Sequence, residues 1–223
     1  MTTRFENISI GEIYHIYNRG TDKRIIFNDD LDYRRFVELL FLSNMSEAVN
    51  LRDIRKVFDS VFDFERSDPL VHIGAYCLMP NHFHILLTPA VENGVHMFML
   101  KLATGYSMYF NNRNNRTGAL FQGKFKSQHA NSDEYLKYLF AYIHLNPVKL
   151  IQPDWKENGV RDIEKVKQYL DGYKYSSLKD YFGAREETAI LDPKKFPEYF
   201  RDKNDIDREL IDWLNYDATV RSA

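Results

Sequence analysis

The sequence predicts an α+β fold, an antiparallel or mixed sheet with helices packed on one side. The first observation is the coarse element order βα(α)ββαβα, which lacks the strict β-α alternation of a parallel doubly wound sheet. The second is a pair of apolar runs at 70–78 and 82–87, joined through Pro80-Asn81, which reads as a hairpin. The third is size and composition. With 223 residues, 44% apolar, 15% aromatic and 28% charged, the chain can build one well-buried domain with a small appendage.

Taken in order, residues 11–19 form the first strand, which Gly20 ends. Asn28-Asp29-Asp30 caps a helix with the apolar face Tyr33, Phe36, Val37, Leu39, Leu40 and Leu42, its acids placed where the helix dipole favours them. Residues 46–68, charged around Ile54, Val57, Phe58, Val61 and Phe62, suggest a second amphipathic helix as an extension or insertion. After the hairpin, Val95, Phe98, Met99, Leu102, Tyr106, Tyr109 and Phe110 mark a helix over 93–112. A polar loop over 111–118 leads to a strand or extended segment at 119–127, where Gly123 signals a bulge or a close backbone approach. Ser132 or Asn131 caps the next helix, which runs through Tyr135, Leu136, Leu139, Tyr142 and Ile143 to Asn146, where Pro147 stops it. Helical fragments near 176–182, 193–201 and 205–215 give a helical extension over 151–223 beyond a domain of residues 1–150.

Cys77 is the single cysteine, so no disulfide forms within one chain, in keeping with a reducing cytoplasm. The opening residues Met1-Thr2-Thr3-Arg4-Phe5-Glu6 lack a signal-peptide apolar core, and no apolar run reaches membrane-spanning length. A cytoplasmic protein with no membrane association is expected. The net charge of −2 hides an uneven distribution. Between Glu92 and Asp133 there is no acid, while Lys101, Arg113, Arg116, Lys124 and Lys126 all fall there. That pattern suits a confined phosphate-binding groove, or an ordinary solvated face.

Four side chains carry potential chemistry. His82 and His84 share a strand face, and Tyr142 and Asn146 are neighbours one helical turn apart. If that helix crosses the histidine strand, two imidazoles and an amide oxygen can surround one divalent cation with a phenol beside it. Open coordination positions would remain for a phosphate oxygen and water. Without a thiolate the set favours Mg²⁺ or Mn²⁺, and imidazole leans toward Mn²⁺. Each residue also has an ordinary reading. The histidines suit a half-exposed strand, Tyr142 is one of fifteen tyrosines, Asn146 suits a helix end, and Lys124 and Lys126 suit a solvated strand face.

Met79-Pro80-Asn81-His82-Phe83-His84-Ile85-Leu86, followed by Tyr142-Ile143-His144-Leu145-Asn146-Pro147-Val148-Lys149, resembles the single-tyrosine HUH transposases of the IS200-like superfamily. The resemblance is closest to the REP-associated tyrosine transposases. It extends to Tyr14-His15-Ile16-Tyr17-Asn18-Arg19-Gly20, to Phe121-Gln122-Gly123-Lys124-Phe125-Lys126 and to Tyr173-Lys174-Tyr175-Ser176-Ser177-Leu178-Lys179-Asp180-Tyr181, covering about residues 10–183. It implies a ferredoxin-like nuclease core that cuts single-stranded DNA beside a hairpin. His82, His84 and Asn146 would bind the metal, Asn146 standing where many insertion-sequence relatives carry Gln. Tyr142 would attack the scissile phosphate, leaving a 5′-phosphotyrosine and a free 3′-hydroxyl, with Tyr138 as the rival nucleophile. Arg19, Lys101, Arg113, Arg116, Gln122, Lys124 and Lys126 are the candidate DNA contacts. Monomer and homodimer both stay open, as does a tyrosine acting in cis or in trans. A non-catalytic hairpin DNA- or RNA-binding relative is the competing reading. A metal-dependent hydrolase of another class is the third.

Overall fold

The computed structural model describes residues 8–47, 49–181, 185–200 and 203–215. The opening hexapeptide, Phe182 and Arg201, all part of the sequence expectations, lie outside the described residues. Strand β1 (Tyr14–Arg19) is followed by helix α1 (Asp30–Leu42), whose N-cap Asp29 accepts hydrogen bonds from the amides of Leu31 and Asp32. The charged stretch contributes only a short helix, α2 (Leu51–Val57), and a 3-10 turn (Val61–Asp63). Arg55 ties α2 to α1 by gripping the buried Glu38 at 2.6 and 2.8 Å. Then come β2 (Val71–Met79), β3 (His82–Pro89), α3 (Gly94–Arg113), β4 (Lys126–His129) and α4 (Asp133–Leu145).

Among the described residues these strands form one antiparallel sheet in the order β2-β3-β1-β4. Chain order β1-α1-β2-β3-α3-β4 in that spatial order is a ferredoxin-like α+β arrangement. The helices cover both faces of the sheet, which corrects the expectation of one covered side. The cause lies in strand alternation. Ile16, Phe83, Ile85 and Leu87 point into one core with α1 and α3, while Leu86 joins a second core with α4. In β2 a bulge between Ile73 and Ala75 resets the parity, so Ile73 and Tyr76 share the first core while Ala75, Cys77 and Met79 face the second. Gly74 sits in that bulge because an added Cβ would lie 2.6 Å from the Phe196 ring.

Two other boundaries differ from expectation. The strand expected at 119–127 is confined to Lys126–His129. Leu120 and Phe121 turn inward as core plugs, and Gly123 takes a positive φ of 68°, which breaks the extended run. Pro147 does not stop the chain's helical course either. Asn146 keeps right-handed helical angles (φ −53°, ψ −40°), and Pro147 opens a 3-10 turn (Asn146–Leu150), where its missing amide hydrogen costs no bond.

Helices α5 (Trp155–Asn158), α6 (Ile163–Gly172) and α7 (Lys203–Asn215) follow, with 3-10 turns between α6 and α7. Val166, Leu170, Ile206, Leu210 and Leu214 join the second core over α4. The tail also covers the outer edge of β2. Leu78 N donates to Tyr175 O, Tyr76 N to Ser177 Oγ and Asp192 N to Ile73 O, each at 2.9 Å. An edge covered this way is closed to another strand. No helix among the described residues is long and apolar enough to cross a membrane.

This packing buries His15, His84 and His144. Burial lowers His15 to about 4 and His144 to about 3, and holds His84 well below its ordinary range. The unfolded chain takes up protons near 6.5 while the folded chain stays neutral, so stability is present above that pH. It is lost as pH falls from about 6.5 toward 4. Each imidazole should cost up to about 2 kcal/mol by pH 5. Urea unfolding at pH 7.5 and 5.0 checks this, and an unchanged midpoint would contradict it.

Candidate active site

The hairpin turn delivers two histidines to the start of β3. Since Phe83 and Ile85 point into the first core, His82 and His84 project toward the face that α4 covers. β1 lies alongside, pairing Tyr17 with His84 and Arg19 with His82, and places His15 and Tyr17 on the same face. α4 crosses it with Tyr142 set edge-on to His84, ring centroids 5.4 Å apart. Between them opens a cleft of about 310 Å³, lined by Tyr17, Asn18, Arg19, Lys23, Asn81, His82, His84, Gln122, Lys126 and Tyr142.

The hydrogen bonds decide which atoms the site can offer. Asn81 Nδ2 donates to Lys23 O at 3.2 Å, so its Oδ1 accepts from His82 Nδ1 at 2.6 Å. The lone pair of His82 is therefore on Nε2. Asn146 Nδ2 donates to Tyr142 O at 2.8 Å, and its Oδ1 is buried without a hydrogen-bond partner among the described atoms. His84 Nε2 is buried in the same condition, while His84 Nδ1 sits 2.8 Å from His15 Nε2. Unpartnered buried polar atoms cost about 1–3 kcal/mol each, so they call for a ligand. Two imidazole nitrogens and one amide oxygen fit a divalent cation, the His82 and His84 rings being 4.9 Å apart. Among the described residues no group of three His, Cys, Asp or Glu side chains could hold a metal, so such a site depends on the Asn146 amide.

Electrostatics suit this donor set. Burial lowers His82 to about 4, helped by the charges of Lys149 and Arg19 and opposed by contact with Asn146. The ring is neutral at pH 7, the state a ligand needs. Burial raises the Tyr142 phenol, and the Asn146 contact pulls it part of the way back. That phenol is protonated at neutral pH and needs nearby positive charge to become a nucleophile. One cation is close: Lys156 Nζ, from α5, lies 4.1 Å from the Tyr142 ring centroid. Tyr138 packs instead against Trp213, with centroids 4.9 Å apart, and does not line the cleft.

The cationic candidates divide. Arg19 and Gln122 are bonded to each other at the rim, and Lys126 Nζ stands 6.0 Å from the Tyr17 ring centroid. Lys124 faces a neighbouring apolar groove of about 630 Å³ between α3 and the 118–125 segment. Lys101 and Arg113 are occupied by partners within the chain. Lys101 Nζ ties down the segment after α1 by donating to the carbonyls of Met45, Ser46 and Glu47 at 2.6–2.8 Å. Arg113 forks between Asp29 and the fully buried Asp32 at 2.5 Å. Arg116 donates to Asn111 Oδ1 at 2.8 Å and lies outside the cleft.

Sequence pattern does not single out His15, Asn81, Tyr17 or Lys156 as parts of the site. His15 and Tyr17 carry the same period-2 spacing as His82 and His84, a signal that becomes readable once β1 and β3 are neighbours. Lys156 follows no local pattern at all.

Comparison with known proteins bears on this geometry. The family model described as "Transposase IS200 like" matches residues 14–146. A solved "REP associates tyrosine transposase bound to a REP hairpin" aligns at 12% identity and a TM-score of 0.48, covering 79% of this chain and 82% of that one. Among curated proteins no sequence match was found.

The contacts of the cations separate two effects on stability. Lys101→Met and Arg113→Met should lower the thermal midpoint, because the first removes a donor shared by three carbonyls after α1 and the second leaves the buried Asp32 carboxylate without its cationic partner. Arg19→Ala and Lys126→Ala, both exposed, should stay within about 0.5 kcal/mol of the parent. Thermal denaturation followed by circular dichroism distinguishes the pairs; equal losses in all four would refute the division.

Proposed function

We propose, from the premise that this chain belongs to the IS200-like transposase family, that it cuts single-stranded DNA beside a REP-like hairpin. The strand would be transferred through a 5′-phosphotyrosine on Tyr142. The observation that carries this reading is the meeting of Tyr142 with His84, whose buried Nε2 has no partner, in one cationic cleft, with the unpartnered Oδ1 of Asn146 on a side chain that contacts both His82 and Tyr142. The hairpin enters from the motif resemblance at 79–86 and 142–149.

His82, His84 and Asn146 would hold Mg²⁺ or Mn²⁺, which supplies Lewis acidity at the scissile phosphate. Tyr142 Oη loses its proton and forms a bond to phosphorus, while the bond to the 3′ oxygen breaks and that oxygen gains a proton. The phosphoester survives on the enzyme, so the free 3′-hydroxyl can reverse the step or another can take its place. Arg19 and Lys126 grip flanking phosphates, and Lys23 adds charge at the cleft wall. Residues 1–150 carry the chemistry in this proposal. The described residues after 150 form an extension that packs with α4 and brings Lys156 to the tyrosine.

Incubation with a pool of hairpin-flanked single strands and Mn²⁺ should give a covalent protein–DNA adduct on a denaturing gel, absent in chelator. Tyr142→Phe should abolish the adduct while retaining hairpin binding; an adduct that persists in this variant would rule out Tyr142 as the nucleophile. Mixing Tyr142→Phe chains with His84→Ala chains should restore nothing, since Tyr142 and His84 meet within one chain. Restored adduct would place the tyrosine in trans.

A further inference from the structure

We propose that His15 is a positioning residue for the cation site, fixing both the orientation and the tautomer of His84; this rests on the metal-dependent reading above. His15 is 4% exposed and projects from the start of β1 toward Tyr142 of α4. Its Nε2 lies 2.8 Å from His84 Nδ1, and the two rings are stacked at 5.0 Å and 23°. Tyr17 stacks on the His15 ring at 5.0 Å, and Tyr142 meets it edge-on at 6.0 Å. The imidazole is thus held by ring contacts and cannot turn aside.

Two neutral imidazoles at that distance share one proton, so one donates and the other accepts. If His15 donates, the His84 proton must sit on Nε2, which closes that nitrogen to a cation. If His15 accepts, His84 keeps its proton on Nδ1 and presents the Nε2 lone pair to the site. Only the second arrangement makes His84 a ligand. It parallels His82, where Asn81 Oδ1 accepts from Nδ1 and leaves Nε2 bare. Each site histidine therefore has its own acceptor on the far side of the ring, and such partners sharpen the direction and basicity of a ligand. A buried imidazole also costs more than an apolar side chain of similar size. The His15 Nδ1 left without a partner is part of that cost.

Calorimetric titration of the DNA-free full chain with Mn²⁺ tests the assignment, with circular dichroism as a check on folding. His15→Phe keeps the bulk but no acceptor, and should weaken Mn²⁺ binding on the order of 10- to 100-fold. His15→Gln, which retains a carbonyl oxygen, should recover part of the loss. Parent-like affinity in a folded His15→Phe variant would overturn the assignment. Absence of Mn²⁺ binding by the parent chain would instead remove the metal reading and this inference with it. Nitrogen-15 spectra of the parent protein's histidines give an independent measure should the variant not fold. They should place the His84 proton on Nδ1, and a proton on Nε2 would overturn the inference.

Discussion

Everything chemical in this protein depends on α4 lying flat across one face of the sheet. The strands by themselves aim His15, Tyr17, His82 and His84 at one region, but a bare sheet face would hold neutral imidazoles in water as an ordinary polar surface. When α4 covers that face, the three imidazoles become buried or half-buried, lose their tendency to protonate and gain Tyr142 and Asn146 as neighbours. The helix is held by apolar contacts, since Leu136, Leu139, Phe140 and Ile143 share a core with Ala75, Cys77 and Leu86 of the strands. Hydrophobic burial, a non-directional force, thereby fixes a directional constellation.

The extension after residue 150 completes that clamp. Leu170, Leu210 and Leu214 pack on α4 from the side away from the sheet, and Tyr199 donates to Asp133 at 2.5 Å at its start. A separate anchor joins the tail to β2. Ser177 Oγ accepts from Tyr76 N and lies 2.9 Å from His144 Nε2, which locks strand, helix and tail at one point. The helix bearing Tyr142 is gripped from both sides, which favours a tyrosine that serves the histidines of its own chain.

Most of the fold was legible because its signals are local. The Asp29 cap, the Pro80-Asn81 turn and the alternation in β3 depend on residues a few positions apart. The covering of both sheet faces was missed although Ile85-Leu86-Leu87 is a continuous apolar run, the pattern of a strand buried on both sides. The pairing of His82, His84, Tyr142 and Asn146 was legible as a motif but not as geometry. The duties of Lys101 and Arg113 were not legible at all. A lysine that ties down the segment after a helix and an arginine that forks between two aspartates look, in sequence, like any cation in an acid-free stretch. His15 escaped for a related reason: its partner lies 69 positions away, and only the β1–β3 register brings them together.

The charge balance of the cleft carries the reading one step further. Among the described residues its lining includes Arg19, Lys23 and Lys126 but no carboxylate, and the three proposed donors are neutral. A divalent cation seated there would keep its full charge among positive neighbours, including Lys149 and Lys156, whose fields already disfavour charge on His84. Sites that hold Mg²⁺ usually offset it with one or two carboxylates together with substrate phosphates. In the proposed chemistry the compensating charge would arrive with the substrate, because the described residues supply none at the cleft. Cation and DNA phosphate would then bind as a pair, each raising the affinity for the other by reciprocal coupling. In the proposed chemistry, an acid-free cleft on a chain of net charge −2 would bind a cation measurably by itself and more tightly on a bound strand.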